Sequence, residues 1–314
     1  SADSLGWNDY YNHGEAYVVF GSSSTGISGE LNVTALNGSN GFKIEGINSY
    51  DSAAEAVSSA GDVNGDGYDD LIIGAPYGDP NGESSAGESY IVFGGTAVGS
   101  SGSIFLSTAL DGSVGFVING ITTGDLTGSA VSGAGDLNGD GIDDFIIGAD
   151  AVDPNGETSA GTSYVVFGTS TVGSSGSIDL SDLTGANGFI LNGTDSYDWS
   201  GYTVALAGDL NGDGIDDVVI GAYGADPNGR SSAGESYVIF GSTDIGATGS
   251  LDLSDLNGTI GFVVNGAAYG DQSGISVSSA GDINGDGYDD LLIGANGTSA
   301  GTSYVIFGQA SIGS

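Results

Sequence analysis

Short apolar runs, separated by glycine and polar turns, make up most of the chain. Runs such as Leu71–Ile73, bounded by Gly or acidic residues, are typical of strands buried on both faces. Tyr90–Phe93 combines aromatic and β-branched residues and indicates a second kind of strand. The small-residue segment Ala56–Ala60 and the apolar segment Phe116–Ile118 predict two more. Because no stretch keeps the 3.6-residue period of a helix, the pattern predicts an all-β fold.

These segments recur at a fixed spacing. The motif D-x-N-G-D-G-x-D-D begins at Asp62, Asp136, Asp209 and Asp282, with spacings of 74, 73 and 73 residues. A second motif, G-x-x-Y-[VI]-[VI]-F-G, occurs five times, and a third, G-F-x-[ILV]-x-G, occurs four times. A fixed period of this kind is the signature of a repeat architecture.

Each repeat is predicted to contribute four antiparallel strands, in the order in which the segments above follow one another. Four-stranded antiparallel units repeated radially are the blades of a β-propeller, and small residues on the first strand suit a crowded axis. A β-solenoid is the alternative, although its coils are usually shorter. We therefore predict a β-propeller-type array of four-stranded antiparallel blades, with repeats of about 73 residues, in one repeat domain, 1–314. Its units are a partial blade at 1–55 (third and fourth strands), blades at 56–129, 130–203 and 204–275, and a blade at 276–314 that lacks its fourth strand.

Composition excludes several classes of partner. The formal net charge is −39, and Lys43 and Arg230 are the only basic residues. Nucleic acids and anionic membranes need basic contacts, so neither is an expected partner. No apolar run is long enough to span a bilayer, so membrane insertion is not expected. The chain has no Met, which indicates a processed chain or a segment of a longer one.

The acidic motif has the chemistry of a calcium loop. Calcium prefers six to eight oxygen ligands, several of them anionic, and Gly at position 6 permits the sharp turn that brings such ligands together. An EF-hand also needs an acid at position 12 and flanking helices, whereas position 12 here is Ile73 or its equivalent inside a strand. A plain Asn/Asp/Gly turn on a solvated edge is the structural alternative. The fourfold recurrence of the whole pattern favours metal binding.

With Leu71–Pro76 and Tyr90–Gly94 following the loop, the chain resembles the FG-GAP repeat, found in the N-terminal propeller of integrin α chains and in bacterial surface proteins. The resemblance implies calcium binding, with about four ions, through side chains at loop positions 1, 3, 5 and 9 and the carbonyl at position 7. Position 8 (Asp69, Asp143, Asp216 and Asp289) is expected to point elsewhere. The implied ligands are Asp62, Asn64, Asp66, Tyr68 and Asp70; Asp136, Asn138, Asp140, Ile142 and Asp144; Asp209, Asn211, Asp213, Ile215 and Asp217; and Asp282, Asn284, Asp286, Tyr288 and Asp290.

The strand count leaves one third strand over. Four first, four second, five third and four fourth strands are predicted, and the surplus is the segment Tyr17–Phe20. Either the chain is part of a larger propeller or array, or its terminal strands pair with a neighbouring copy. An open strand edge invites such addition, and a head-to-tail contact builds rings or filaments.

Catalysis is not expected. His13 is the sole histidine, there is no cysteine, and paired acids such as Asp69–Asp70 recur four times, whereas an active site is normally unique. We predict an extracellular or cell-surface calcium-binding protein with a structural or adhesive role. A ligand- or glycan-binding propeller within a larger adhesin is the alternative. Its candidate loops are Trp7–His13, Tyr197–Trp199 and Tyr269–Asp271, for which the competing interpretation is packing on a neighbouring blade.

Overall fold

The structure is a computed structural model that describes residues 13–22, 29–297 and 300–313. It is built almost entirely of short strands arranged in five sheets. Of the candidate loop Trp7–His13, residues 7–12 lie outside the described residues. None of the helices in the described ranges is long and apolar enough to cross a membrane.

Four strand types recur along the chain, as the sequence predicts. The first strands are β3 (Ala56–Gly61), β8 (Ala130–Gly135), β13 (Thr203–Gly208) and β18 (Ser273–Gly281). The second strands are β4 (Asp70–Ala75), β9 (Asp144–Ala149), β14 (Asp217–Ala222) and β19 (Asp290–Ala295). The third strands are β1 (Glu15–Val19), β5 (Glu88–Val92), β10 (Thr162–Val166), β15 (Glu235–Ile239) and β20 (Thr302–Ile306). The fourth strands are β2 (Gly41–Glu45), β7 (Gly115–Asn119), β12 (Gly188–Asn192) and β17 (Gly261–Asn265).

Within each blade these strands pair antiparallel in chain order, as in β13-β14-β15-β17. The second strands lie inside the sheets: Phe145, Ile146 and Ile147 have no exposed surface. Burial on both faces explains why these strands read as unbroken apolar runs. The sequence-based prediction of antiparallel four-stranded units is confirmed.

A fifth, parallel strand, which the sequence pattern did not predict, joins three of the sheets. These short strands are β6 (Ser103–Phe105), β11 (Ser177–Asp179) and β16 (Ser250–Asp252). Each leaves its own repeat and pairs with the fourth strand of the preceding blade, so that β11 runs parallel to β7. Neighbouring blades are therefore joined by main-chain hydrogen bonds at their outer edges.

Within the described ranges, helical structure is limited to single turns. They are α1 (Leu106–Ala109) and the 3₁₀ turns Val33–Ala35, Pro80–Gly82, Pro154–Gly156, Leu180–Asp182, Pro227–Gly229 and Leu253–Asp255. Three of them fall in Asp-Pro-Asn-Gly segments, at residues 79–82, 153–156 and 226–229. There Asn81 adopts φ 55°, a left-handed conformation that Asn tolerates better than most residues.

The hydrophobic core lies between adjacent sheets rather than within one of them. Phe116 of one blade and Phe145 of the next have ring centroids 6.4 Å apart, and both are fully buried. The first strands line a central groove of about 410 Å³, where small residues such as Ser58, Ser132 and Ala205 face one another. This placement agrees with the expectation that first strands lie near the axis. No sheet closes on itself among the described residues.

Candidate calcium loops

Each acidic loop joins the end of a first strand to the start of a second strand. The first runs from Asp62 to Asp70 between β3 and β4, and the others occupy equivalent places. Gly65 and Gly67 adopt φ 70° and 90°, so the loop uses the left-handed backbone that glycine permits. The sequence-predicted residues at positions 1 to 9 are therefore gathered into one tight turn at the same end of every blade.

Side chains at positions 1, 3 and 5 accept backbone hydrogen bonds inside the loop. In the first loop Asp66 N donates to Asp62 Oδ1 and to Asn64 Oδ1, both at 2.9 Å. Gly67 N donates to Asp62 Oδ2 at 2.7 Å, and Tyr68 N donates to Asp66 Oδ1 at 3.0 Å. The same four bonds recur in the other three loops. They hold the acidic side chains over the turn before any ion binds.

Position 9 is a buried carboxylate that joins two motifs of the repeat. Asp70 has no exposed surface; its Oδ2 accepts from Val63 N at 3.1 Å and its Oδ1 from Gly94 N at 2.7 Å. Gly94 ends the Y-I-V-F-G segment, and a Cβ there would lie 2.3 Å from the Asp69 carbonyl oxygen. The equivalent bonds are made by Asp144, Asp217 and Asp290. The close approach of the Asp69 carbonyl oxygen to residue 94 explains why the second motif must end in glycine.

Burial raises the pKa of the Asp70, Asp144 and Asp217 carboxyls. Burial is the largest cause, and it outweighs the backbone N–H groups, which lower the pKa. The nearby loop acids raise it further, so that the pKa of Asp70 is about 6 and those of Asp144 and Asp217 are about 8. Neither basic residue lies at a loop, since Lys43 pairs with Glu15 and Glu45 and Arg230 donates to the Ala267 carbonyl. Each loop thus holds a buried carboxyl group with no protein cation beside it, and a bound cation would favour its ionised form.

The donor set fits a calcium ion. It consists of carboxylate, amide and carbonyl oxygens, the hard ligands that calcium prefers, and a divalent ion would supply the missing positive charge. Among the described residues, however, no three His, Cys, Asp or Glu side chains form a preassembled metal cluster. The acids at positions 1 and 5 are instead directed toward backbone N–H groups. The individual ligand assignments, including the position 7 carbonyls, therefore stay predictions.

Position 8 connects adjacent loops. The Oδ2 atom of Asp143 accepts from Asp62 N at 2.8 Å, although these residues belong to different blades. Asp216 and Asp289 accept from Asp136 N and Asp209 N at 3.1 and 3.0 Å. The motif predicts that these acids point away from the ion, but it does not reveal which group they contact. The sequence did contain a sign of this contact, because a glycine precedes every loop and a second acid, at position 8, stands beside the position 9 acid in every loop.

Glycine before each loop makes room for this contact. A Cβ at Gly135, where φ is 63°, would lie 2.1 Å from Asp216 Oδ2. Gly61 and Gly208 face Asp143 and Asp289 in the same way. Two neighbouring loops are thus linked by one carboxylate that reaches over a glycine.

Comparison with known proteins identifies the repeat. The model of the FG-GAP repeat matches residues 54–92, 127–166, 200–239 and 273–306. Each matched segment starts near a first strand, contains one acidic loop and ends with a third strand. The protein is an FG-GAP repeat protein. Its resemblance to the integrin α propeller, expected from the motifs, is confirmed.

The relatives are long proteins that this FG-GAP chain matches in part. It is 29% identical over 259 residues to integrin alpha pat-2 of Caenorhabditis elegans, covering 80% of this chain and 18% of the relative. It is 33% identical over 181 residues to integrin alpha-4 of Xenopus laevis, covering 57% and 15%. It is 30% identical over 202 residues to the phosphatidylinositol-glycan-specific phospholipase D of Bos taurus, covering 64% and 22%. The chain spans about a fifth of the length of these relatives, so the similarity describes a repeat module and transfers no catalytic residue.

Proposed function

We propose that this FG-GAP protein is an extracellular or cell-surface adhesion module whose blades are made rigid by calcium. The observation that carries the proposal is the buried position 9 carboxylate, which has no protein cation and recurs in four loops. The integrin relatives support the adhesive role and the location.

Calcium acts here through charge and through chain geometry. The expected ligands come from the connection between the first and second strands and include Asp70, which also holds Gly94 at the end of the third strand. An ion bound there would offset repulsion among the loop acids and restrain three strands of one blade. Because the unfolded chain does not present this arrangement, calcium binding adds to the free energy of unfolding. With free calcium 100-fold above Kd, the gain is about 2.7 kcal/mol per site.

The test is thermal unfolding in millimolar calcium and in excess EGTA, followed by circular dichroism. We expect the melting temperature to fall sharply when calcium is chelated and to recover when calcium is restored. Magnesium serves as the control, because it demands octahedral geometry and a smaller cavity. Equal melting temperatures in calcium and EGTA would overturn the proposal.

Head-to-tail assembly is a second candidate, supported by open positions on the two end blades. Asp69, the position 8 acid of the first loop, is exposed, and no acidic loop precedes it among the described residues. At the other end, a Cβ on Gly281 would meet nothing within 4 Å. The space that a position 8 carboxylate of a following loop fills beside the equivalent glycines is therefore empty here. A groove of about 330 Å³ beside β1, lined in part by Val57 and Ile73, could receive a strand of a neighbouring copy.

Electron microscopy and sedimentation velocity in calcium and in EGTA test this second candidate. Filaments or rings that form with calcium, disperse in EGTA and are lost in Asp69→Ala support assembly through the loop contact. A chain that stays monomeric at high concentration in calcium would rule it out and leave the adhesive module.

A further inference from the structure

Four aromatic side chains form a cluster where the loop before β13 meets the end of β14, opposite the calcium loop. The rings of Trp199 and Tyr223 are stacked, with centroids 5.1 Å apart and planes 15° from parallel. Tyr202 meets Tyr223 edge-on at 4.6 Å, and Tyr197 meets Trp199 edge-on at 6.4 Å. We call Tyr197, Trp199, Tyr202 and Tyr223 the aromatic platform.

The repeat shows that the fold does not require this platform. Trp199 corresponds to Ser52, Leu126 and Gln272 in the other copies, all four with φ between 53° and 56°. Tyr223 corresponds to Pro76, Asp150 and Asn296, and Tyr202 corresponds to Glu55, Ser129 and Ile275. Small, polar and aliphatic residues therefore serve the same backbone elsewhere. Packing on a neighbouring blade does not account for an aromatic residue at all three positions at once.

A glycine beside the platform also leaves room for the indole ring of Trp199. A Cβ at Gly224 would lie 2.5 Å from Trp199 Cε3, so glycine is needed where the indole packs. The other copies have Tyr77, Ala151 and Gly297 at the Gly224 position.

The platform and the calcium loop lie at opposite ends of the same two strands. Strand β14 starts at the loop residue Asp217 and ends at Ala222, immediately before Tyr223. Six strand residues at about 3.3 Å each separate the two features by roughly 20 Å. A ligand on the platform would therefore not touch the ion-binding residues.

The exposure of the platform residues and the charge of the chain limit the kinds of ligand that the platform can bind. Tyr197 and Tyr202 are 58% and 40% exposed, so much of the platform is open to water. Two carboxylates beside the platform residues are withdrawn from the surface, since Asp198 is 6% exposed and Asp150 accepts from Ser129 Oγ at 3.0 Å, whereas Asp195 in the same loop is exposed. The exposed surface of the platform residues themselves is aromatic carbon and phenol hydroxyl. With a net charge of −39, an anionic ligand would be repelled.

We infer that the aromatic platform binds a neutral carbohydrate by stacking against a pyranose ring. The C–H face of such a ring matches a flat aromatic surface, and its hydroxyls match the phenol groups of the tyrosines. A basic peptide is the less suitable ligand, because acids cover the whole chain and would attract it without any aromatic cluster. This inference rests on the proposed adhesive function and names the ligand class that it would recognise.

The experiment uses the two tryptophans of the chain, Trp7 and Trp199. In a Trp7→Phe background the fluorescence reports on Trp199 alone. This protein is titrated, with calcium present, with hexasaccharides of β-1,4-glucose, α-mannose and β-1,4-N-acetylglucosamine, and calorimetry gives Kd. We expect at least one of them to bind saturably and to change the Trp199 emission.

Trp199→Gln is the decisive variant, because Gln occupies the equivalent position 272 at the same backbone conformation. It should weaken binding about tenfold or more, a change of about 1.4 kcal/mol, with an unchanged melting temperature in calcium. Tyr269→Ala is the matched control. Tyr269 lies in the loop of the next repeat and is 77% exposed, more than any other aromatic residue that the structure describes, and its removal should leave Kd unchanged.

The outcomes separate this inference from the proposed function. If none of the sugars binds, or if Trp199→Gln binds as well as the parent, the carbohydrate inference is wrong even where EGTA still lowers the melting temperature. If hexalysine binds at the platform and the sugars do not, the ligand class is cationic and the inference is also wrong. If the sugars bind but EGTA does not change the melting temperature, the calcium proposal is wrong and the carbohydrate inference is supported.

Discussion

The carboxylate of Asp143 accepts a 2.8 Å hydrogen bond from the backbone N–H of Asp62, 81 residues earlier in the chain and in the preceding blade. The link recurs between each successive pair of acidic loops. It converts a set of separate turns into a connected row. An ion that orders one loop would therefore also affect its neighbour through the position 8 acid.

Removing one of these carboxylates should destabilise the array. Asp143→Ala leaves the Asp62 N–H without its partner, and hydrogen bonds to charged groups are worth about 1.5–3 kcal/mol. We expect a loss of that size in urea unfolding at fixed calcium, with the number of bound calcium ions unchanged. Asp69→Ala removes the same group from the first loop, where it is exposed, and should have little effect. Equal losses in the two variants would show that the interblade bond contributes nothing.

The glycine before each loop gives an independent test of the same contact. Gly135 and Gly281 have nearly identical φ values, 63° and 62°, so alanine costs both positions about the same backbone strain, roughly 1 kcal/mol. Only at Gly135 would the new Cβ meet a carboxylate, 2.1 Å from Asp216 Oδ2, whereas at Gly281 it meets nothing within 4 Å. Gly135→Ala should therefore lower the melting temperature clearly more than Gly281→Ala. Matching melting temperatures would contradict the assigned geometry.

A ligand variant should lose stability only when calcium is present. Asp140, at position 5 of the second loop, is exposed, and its side chain accepts one loop hydrogen bond from Ile142 N at 3.0 Å. Asp140→Ala should reduce the calcium-dependent rise in melting temperature and bind one ion fewer, while melting close to the parent in EGTA. Asp182→Ala, which removes an exposed acid outside the loops, controls for net charge. If the melting temperature of Asp140→Ala lies equally far below that of the parent in calcium and in EGTA, Asp140 has a purely structural role.

Asp198 predicts a pH dependence that does not involve the loops. Burial, together with nearby Asp195, Glu235 and Asp226, raises the pKa of Asp198 from 3.8 to about 7. A raised carboxyl pKa favours the folded state at low pH, and that contribution is lost as pH rises from about 4 to about 7. Asp198→Asn, which stays neutral, should therefore gain stability relative to the parent between pH 5 and pH 8.

Urea unfolding of both proteins at saturating calcium measures this difference. Saturation matters because loop carboxyls also titrate when no ion is bound. A stability difference that stays constant from pH 5 to pH 8 would mean that Asp198 is ionised in the folded protein across that range.

The sequence predicted what repeats locally and missed what depends on distant pairing. The acidic loops and the buried second strands are readable because each is one continuous motif with its own period. The short strand Ser177–Asp179 is polar and three residues long, and only its parallel partner β7 in the previous blade makes it a strand. The partner of Asp143 likewise lies a whole repeat away.

The aromatic platform shows the same limit. Tyr197 and Trp199 stand out in the sequence because they break the repeat. Tyr223 does not, since a tyrosine after a buried strand suggests nothing by itself. Its stacking on Trp199 depends on how the loop before β13 folds over the end of β14.

Native mass spectrometry of the intact chain, transferred from calcium-containing buffer, tests the central claim most directly. The four buried position 9 carboxylates predict four bound calcium ions per chain, with one ion lost in each position 5 variant and all of them lost after EGTA. A chain that carries no specifically bound calcium at millimolar concentration, and that melts identically without it, would show that the loops are turns held by their own hydrogen bonds.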